Sequence, residues 1–193
     1  MSFKSLYEFS CGLNQHPVLL EGVLDVKAAL LTGQDELYYV PVDLDPEISL
    51  GHIKQYRVPT GVYSETQWVT EIRYFQELNM CWRRFVCCKE LMHVFDSANE
   101  RADSALKFQQ LLDEIEAPLP ASESSEMYKS ETKTKWMALG VLCPDPVRAH
   151  FKPRWESGEM SDYDLAVDLR IPETYIRTLM SDRYERVLEI LTR

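Results

Sequence analysis

Glycine is scarce in this chain, seven residues in 193, and none falls in a G-x-G-x-x-G, a G-x-x-x-x-G-K-[S/T] or a G-x-S-x-G arrangement. Scaffolds that cradle phosphates in glycine-rich loops, or that hold a serine on a strained nucleophile turn, are excluded on that ground. Cysteine is also sparse and unpatterned: Cys11, Cys81, Cys87, Cys88 and Cys143 form an odd set without a C-x-x-C pair, which suits a reducing compartment and gives no zinc-finger spacing. Buried apolar thiols are the simplest reading of Cys87, Cys88 and Cys143. Positive charge is in deficit, with 21 basic against 31 acidic residues, a formal net charge of −10 and a pI near 4.9. Such a surface repels phosphate, so broad nucleic-acid or anionic-membrane binding is disfavoured, and a basic partner is steered toward it. Long apolar runs are missing too, as is a charged-then-apolar leader, so a cytoplasmic protein with no membrane association is expected.

What is present is enough apolar material, 45% of residues, for one core. The expected architecture is α+β, with a small, mostly antiparallel sheet over residues 36–75 packed on helices at 79–96 and 130–142. The chain reads as one unit over 1–193, with a proline- and serine-rich flexible loop at 116–127 and a C-terminal helical subdomain over 155–193. Leu19, Leu20, Val23, Leu24 and Leu30 form an apolar stripe predicting a helix that ends near Thr32-Gly33. Leu37 to Val42 has strand composition, and Pro41, lacking an amide donor, points to an edge strand or an irregular one. Tyr56 to Tyr63 and Trp68 to Phe75 read as two further strands, the second alternating Trp68, Thr70, Ile72 and Tyr74 against Val69, Glu71 and Arg73, as expected of a sheet with one wet face. Helices are predicted from near Asn79, from Asp103 to Ile115, from Ser130 until Pro144 and Pro146 stop the chain, and again beyond Trp155, with Ser161 as an N-cap, a break at Arg170-Ile171-Pro172 and a last helix from about Asp182.

The densest chemistry lies in Lys89-Glu90-Leu91-Met92-His93. In a helix carrying H-E-x-x-H, two histidines four residues apart share one face and hold a zinc ion, and the glutamate between them activates the metal-bound water. Here lysine stands in the first position. Its ammonium has no lone pair to offer and its charge opposes a dication. E-x-x-H alone is common in amphipathic helices, and the same i, i+3 spacing is half of a di-iron carboxylate motif whose other E-x-x-H is missing.

Flanking residues add specificity. Arg84-Phe85 precedes the pentapeptide, and a second segment carries Glu131, Thr134, Met137, Ala138, Val141-Leu142 and Pro144 at fixed spacing. Together they resemble the ImmA/IrrE family of zinc-peptidase-like proteins, whose pattern is R-F-x-x-A-H-E-x-x-H followed by E-x-x-A-x-x-F-A-x-x-L-L-x-P. Thr134 departs from that family's alanine. The likeness continues through Gly158, Ser161, Leu165-Ala166, Leu169, Ile171, Ile176 and Leu179, and spans roughly residues 70 to 193 with an insertion between the motif helices.

The resemblance implies zincin-like motif helices, Glu90 as general base, and His93 and Glu131 as two of three zinc ligands. Lys89 leaves the set one ligand short. Its ammonium is expected where the ion would sit, paired to Glu131 and Glu90, which implies no metal cofactor. A retained zinc with Asp96 as substitute ligand is the alternative, and a Lys89 that merely snorkels to solvent beside a core His93 is a third. By the same resemblance the protein is a regulatory, protein-binding descendant of a metallopeptidase, its partner a helix-turn-helix repressor or antitoxin in a bacterial or phage stress switch, with a working zinc-dependent endopeptidase as the rival.

His16, His52 and His150 are isolated and read as loop or surface positions. Residues 161–180 fit a helix-turn-helix packing template, but 161–193 holds seven acidic residues against five arginines, a net of −2, so DNA reading is not expected of it.

Overall fold

Ile72 has no exposed surface because its strand, β3 (Thr66–Phe75), runs through the middle of a three-stranded sheet. In this computed structural model the described residues are 3–13, 15–59, 66–102, 104–120 and 122–193. β1 (Glu36–Val42) pairs with β3 in parallel, Tyr39 opposite Ile72, and β2 (Gly51–Pro59) pairs with its other side antiparallel, Ile53 opposite the same residue. The sheet is therefore mixed, one pairing of each kind, where a mostly antiparallel one is expected from the sequence. Alternation reports which face of a strand is wet; it carries no information on the direction of the neighbour. Pro41 lies on an edge strand, as its missing donor requires. β2 begins earlier than the Tyr56 start read from composition, and its predicted end, Tyr63, lies outside the described residues along with Ser64 and Glu65.

The helices form the other layer. α1 (Phe3–Cys11) is followed by a π-turn, Leu20–Leu24, and α2 (Asp25–Thr32), closed by Gly33 in the left-handed conformation at φ 69. Leu20 and Leu24 are buried, but Leu19 and Leu30 of the same predicted stripe are 49% and 72% exposed. Gly22, at φ 78 inside the π-turn, breaks the helical register between them.

α3 (Met80–Met92) starts where Asn79 accepts a hydrogen bond from the Trp82 amide, and a 3-10 turn, His93–Phe95, ends it. α4 (Ala105–Glu116) is capped by Ser104; Asp103, the expected start, is outside the described residues. α5 (Glu126–Leu142) begins ahead of the expected Ser130, because Ser125 accepts from the Tyr128 amide and caps it there. Ahead of that cap Ser124 is buried and donates to the Leu119 and Pro120 carbonyls, and Glu114 receives the Ser125 amide.

α5 ends at Leu142, as the two prolines predict, and the same prolines open the next helix, α6 (Asp145–Glu156): Pro144 is its N-cap and Pro146 sits in its first turn, where a missing amide costs nothing. α7 (Asp162–Leu169) opens on a reciprocal cap between Ser161 and Asp164 and closes on Arg170 at φ 52. A 3-10 turn (Glu173–Tyr175), α8 (Ile176–Met180) and α9 (Asp182–Leu191) complete the chain. Leu165, Ala166, Leu169, Ile171, Ile176 and Leu179 are all buried, as their pattern predicts. The second helix of the expected pair, however, is a five-residue segment entered through the 3-10 turn.

One apolar cluster runs from Phe3 to Leu188. Within it Tyr184 donates to the Leu139 and Cys143 carbonyls, and the buried Arg148 donates to the carbonyls of Leu179, Met180 and Ser181, so α9 and α8 are fastened to the ends of α5 and α6. Cys87, Cys88 and Cys143 are buried in this core. No helix among the described residues is long and apolar enough to cross a membrane.

Candidate functional site

α3 packs under the sheet and against α5, and the two helices bring Lys89, Glu90, His93 and Glu131 together. Gly51, at the start of β2, lets the strand close over this part of α3: a Cβ there would stand 2.5 Å from a Val86 methyl, 2.9 Å from the Arg73 carbonyl and 3.3 Å from the Glu90 Cγ. Glu90 is 3% exposed beneath it.

Lys89 Nζ donates to Glu90 Oε1 at 2.9 Å and makes a very short ion pair with Glu131 Oε2, so a single ammonium joins the two carboxylates across the helix interface. Its side chain keeps 20% of its surface, and that of Glu131 26%, so the pair lies at the floor of an opening. Burial alone would lower the lysine pKa, but Glu90 and Glu131 raise it above its ordinary value and hold the ammonium charged.

His93 presents its two nitrogens to different groups. Nε2 faces Glu131 Oε1 at 3.3 Å, with the Thr134 hydroxyl at 3.4 Å and Glu90 Oε2 at 4.0 Å, while Nδ1 bonds Asp96 Oδ2 at 2.6 Å. Burial opposes the imidazolium, yet the bonds to Asp96 and Glu131 and the charge of Glu90 outweigh it and push the histidine pKa to about 9. Burial likewise disfavours the Glu131 carboxylate, and His93 and Lys89 overcome it, holding Glu131 well below the usual range.

Behind the ring, Asp96 is fixed by the Ser130 hydroxyl at 2.7 and 2.8 Å and by Lys133 at 3.3 Å; Lys133 also pairs with Glu100. Asp96 therefore orients His93 from the nitrogen opposite Glu131, which corrects the expectation that it stands beside Glu131 as a substitute ligand. Ser130 and Thr134, one turn apart on α5, are site residues that sequence reasoning passes over. Their small size is legible as an allowance for close helix packing, whereas their hydroxyl partners are not.

Of the three histidines read as loop or surface positions, His16, in a bend, and His150, on α6, are exposed as expected, and His52 departs. His52 lies within β2 and is half-buried, a position that pulls its pKa down. His16 and His150 stack on each other at 5.6 Å between centroids, and both pack on Phe151.

The zinc ion implied by the resemblance can be tested against these donors. Lys89 offers a cation where a lone pair is needed, and its ammonium already occupies the carboxylates of Glu90 and Glu131. Among the described residues no group of three or more His, Cys, Asp and Glu side chains is placed to hold a metal ion. The donor set does not fit catalytic zinc. Compared with protein-family models, with curated proteins and with solved structures, the chain matches none.

Proposed function

We propose that the chain is a degenerate ImmA/IrrE-type, metallopeptidase-like protein that acts as a regulatory protein-binding module. On this reading its partner is a transcriptional repressor or antitoxin in a bacterial or phage stress switch. The observation that carries the reading is the position of the Lys89 ammonium, held between Glu90 and Glu131, where the resemblance calls for a metal ion. An internal cation satisfies both carboxylates and leaves Glu90 engaged rather than free to act as a base.

The partner's route of entry follows from the sheet. β2 is an edge strand, and the Phe75 amide donates to the Leu50 carbonyl, which sets the alternation of the antiparallel ladder. Ile53, Gln55 and Arg57 then turn their backbone groups away from β3, and an extended segment of a partner pairs with them beside the α3 opening. The net charge of −10 favours a basic segment there.

Metal content after purification and after incubation with zinc tests the reading. The wild-type chain is expected to retain far less than one zinc per chain, and Lys89→His, which restores the missing imidazole, to take up one. A full equivalent of tightly held zinc in the wild type would sink the proposal and favour the rival metallopeptidase, for which Glu90→Gln should then abolish cleavage while leaving the fold intact.

A further inference from the structure

A second set of charges on α3 lies away from Lys89. Met80, Arg83, Arg84 and Cys87, spaced as one helical stripe, form a wall of a cavity of about 220 Å3, closed on the other sides by the 17–21 segment and by Arg170. That volume is below the roughly 300–1,000 Å3 taken by drug-sized ligands and holds the equivalent of about seven waters.

Its three guanidinium groups are not alike. Arg84 is spent on the scaffold, donating to the Val18, Leu169 and Arg170 carbonyls. Arg83 and Arg170, both exposed, have no carboxylate, carbonyl or ring partner among the described residues. Burial lowers the Arg84 pKa to about 10, and the charge of Arg170 acts in the same direction, so the positive charge here is not neutralised within the fold.

The backbone fixes where Arg170 stands. Arg170 is the non-glycine residue with positive φ among the described residues, and it occupies the helix-ending left-handed position that glycine fills at least cost. From that position the Arg170 side chain lines the cavity opposite α3.

We propose that this cavity binds a small aliphatic monocarboxylate, the carboxylate bridging Arg83 and Arg170 and the hydrocarbon part resting on the exposed Leu19 and Met80. Arg84 spends its donors on carbonyls but keeps its charge, so three guanidinium groups against the Glu21 carboxylate leave two positive charges; a carboxylate with a hydrocarbon tail uses both the free donors of Arg83 and Arg170 and the apolar wall, which inorganic phosphate does not. The same chemistry is offered by a free short-chain acid and by the C-terminal carboxylate of a peptide ending in an aliphatic residue.

The test is titration of the full chain with isovalerate, followed by amide chemical shifts. Saturable binding that perturbs residues 17–21, 80–87 and 170 is expected, with none from the neutral isovaleramide and none from inorganic phosphate. Arg83→Gln and Arg170→Gly should each weaken binding roughly tenfold or more. The glycine variant relieves backbone strain, so a loss of binding there cannot come from misfolding if its Tm is at least that of the wild type. N-acetyl-leucyl-valine binding more tightly than isovalerate assigns the source to a peptide terminus; equal or weaker binding assigns it to a free acid. Failure of isovalerate to saturate, isovaleramide or phosphate binding as well as isovalerate, or wild-type affinity in both variants overturns the proposal.

Discussion

Helix α3 carries two sets of charged side chains that the fold treats in opposite ways. On one side Lys89, Glu90 and His93 meet Asp96 and Glu131, and every charge is answered within the protein. On another side Arg83 and Arg170 line an open cavity, and among the described residues the only guanidinium there with partners, Arg84, has main-chain carbonyls and no carboxylate. The first arrangement satisfies itself, so its removal costs stability. The second leaves its charge to solvent, so its removal should cost the fold little and a ligand much. Desolvation is the reason: an uncompensated charge is tolerable at the exposed guanidinium groups and very unfavourable beside Glu90, which is 3% exposed.

Lys89→Met tests the closed side most severely. It strips Glu90 and Glu131 of their shared cation while keeping most of the apolar stem of the side chain. Breaking buried pairs in this way costs about 3–5 kcal/mol, and the 20% and 26% exposure of the two partners places the expected loss at the lower end, about 3 kcal/mol. Urea denaturation would measure it. Adding Glu131→Gln should recover part of the loss, and a double variant no more stable than the single one would break the assignment of Lys89 as the charge that joins the helices.

His93 makes the same set sensitive to pH. A histidine pKa raised on folding to about 9 means that the native state holds the proton more tightly, so the stability from His93 is full below its unfolded value of about 6.5 and is lost as pH climbs through about 9. The difference corresponds to on the order of 3 kcal/mol. Glu131, whose pKa is depressed, contributes in the opposite sense: its share is present above the ordinary carboxylate value and lost as pH falls through its lower folded value. Maximum stability is therefore expected between about pH 4.5 and 6.5. Denaturation midpoints measured from pH 4 to 10 check the profile, and His93→Gln should flatten its alkaline side; an unchanged alkaline slope in that variant would show that the imidazolium is not its source.

How far these two sides of α3 can be read from sequence differs for a physical reason. Lys89, Glu90 and His93 are legible because helical spacing fixes which side chains lie near one another and because charged residues in an apolar helix require partners, whereas Glu131 enters only through the family resemblance. Asp96 is legible as a neighbour but not as the group behind His93, since a 3-10 turn at His93–Phe95 replaces the α-helical continuation on which a same-face reading depends. The arginine cavity is not legible at all. Val18, Arg84 and Arg170 come from distant segments, and only tertiary packing brings them together. In the fold, strand and helix stretches with clear alternation or caps were recoverable at β3, α3 and α7. The parallel pairing of β1 and the start of α6 at Pro144 were not, because direction and first-turn proline depend on the surroundings.

Gly51→Ala should come next in size. The added methyl meets the Arg73 carbonyl at 2.9 Å and Val86 at 2.5 Å, both held in the core, so β2 must lift from α3. Overpacking of this kind costs about 1–3 kcal/mol. Alanine at Gly33, where nothing lies within 4 Å but φ is 69, controls for backbone strain alone. If Gly51→Ala is the milder of the two, the close approach of strand to helix is not what shapes the opening.

The smallest effect is expected at Arg170, and its sign is what matters. With φ at 52, arginine pays a left-handed penalty that glycine avoids, and the Arg170 carbonyl that receives Arg84 stays in place when the side chain is removed. Arg170→Gly should therefore leave stability unchanged or raise it by up to about 1 kcal/mol, the opposite direction from Lys89→Met. The contrast is sharpest when both variants are denatured at two salt concentrations. Screening acts on exposed charge, so the electrostatic part of any difference at Arg170 should vanish with added salt and leave the backbone part, while the loss at Lys89, enclosed between its carboxylates, should largely persist. A destabilised Arg170→Gly would mean that its guanidinium serves the fold as Lys89 does, and the two sides of α3 would then differ only in exposure.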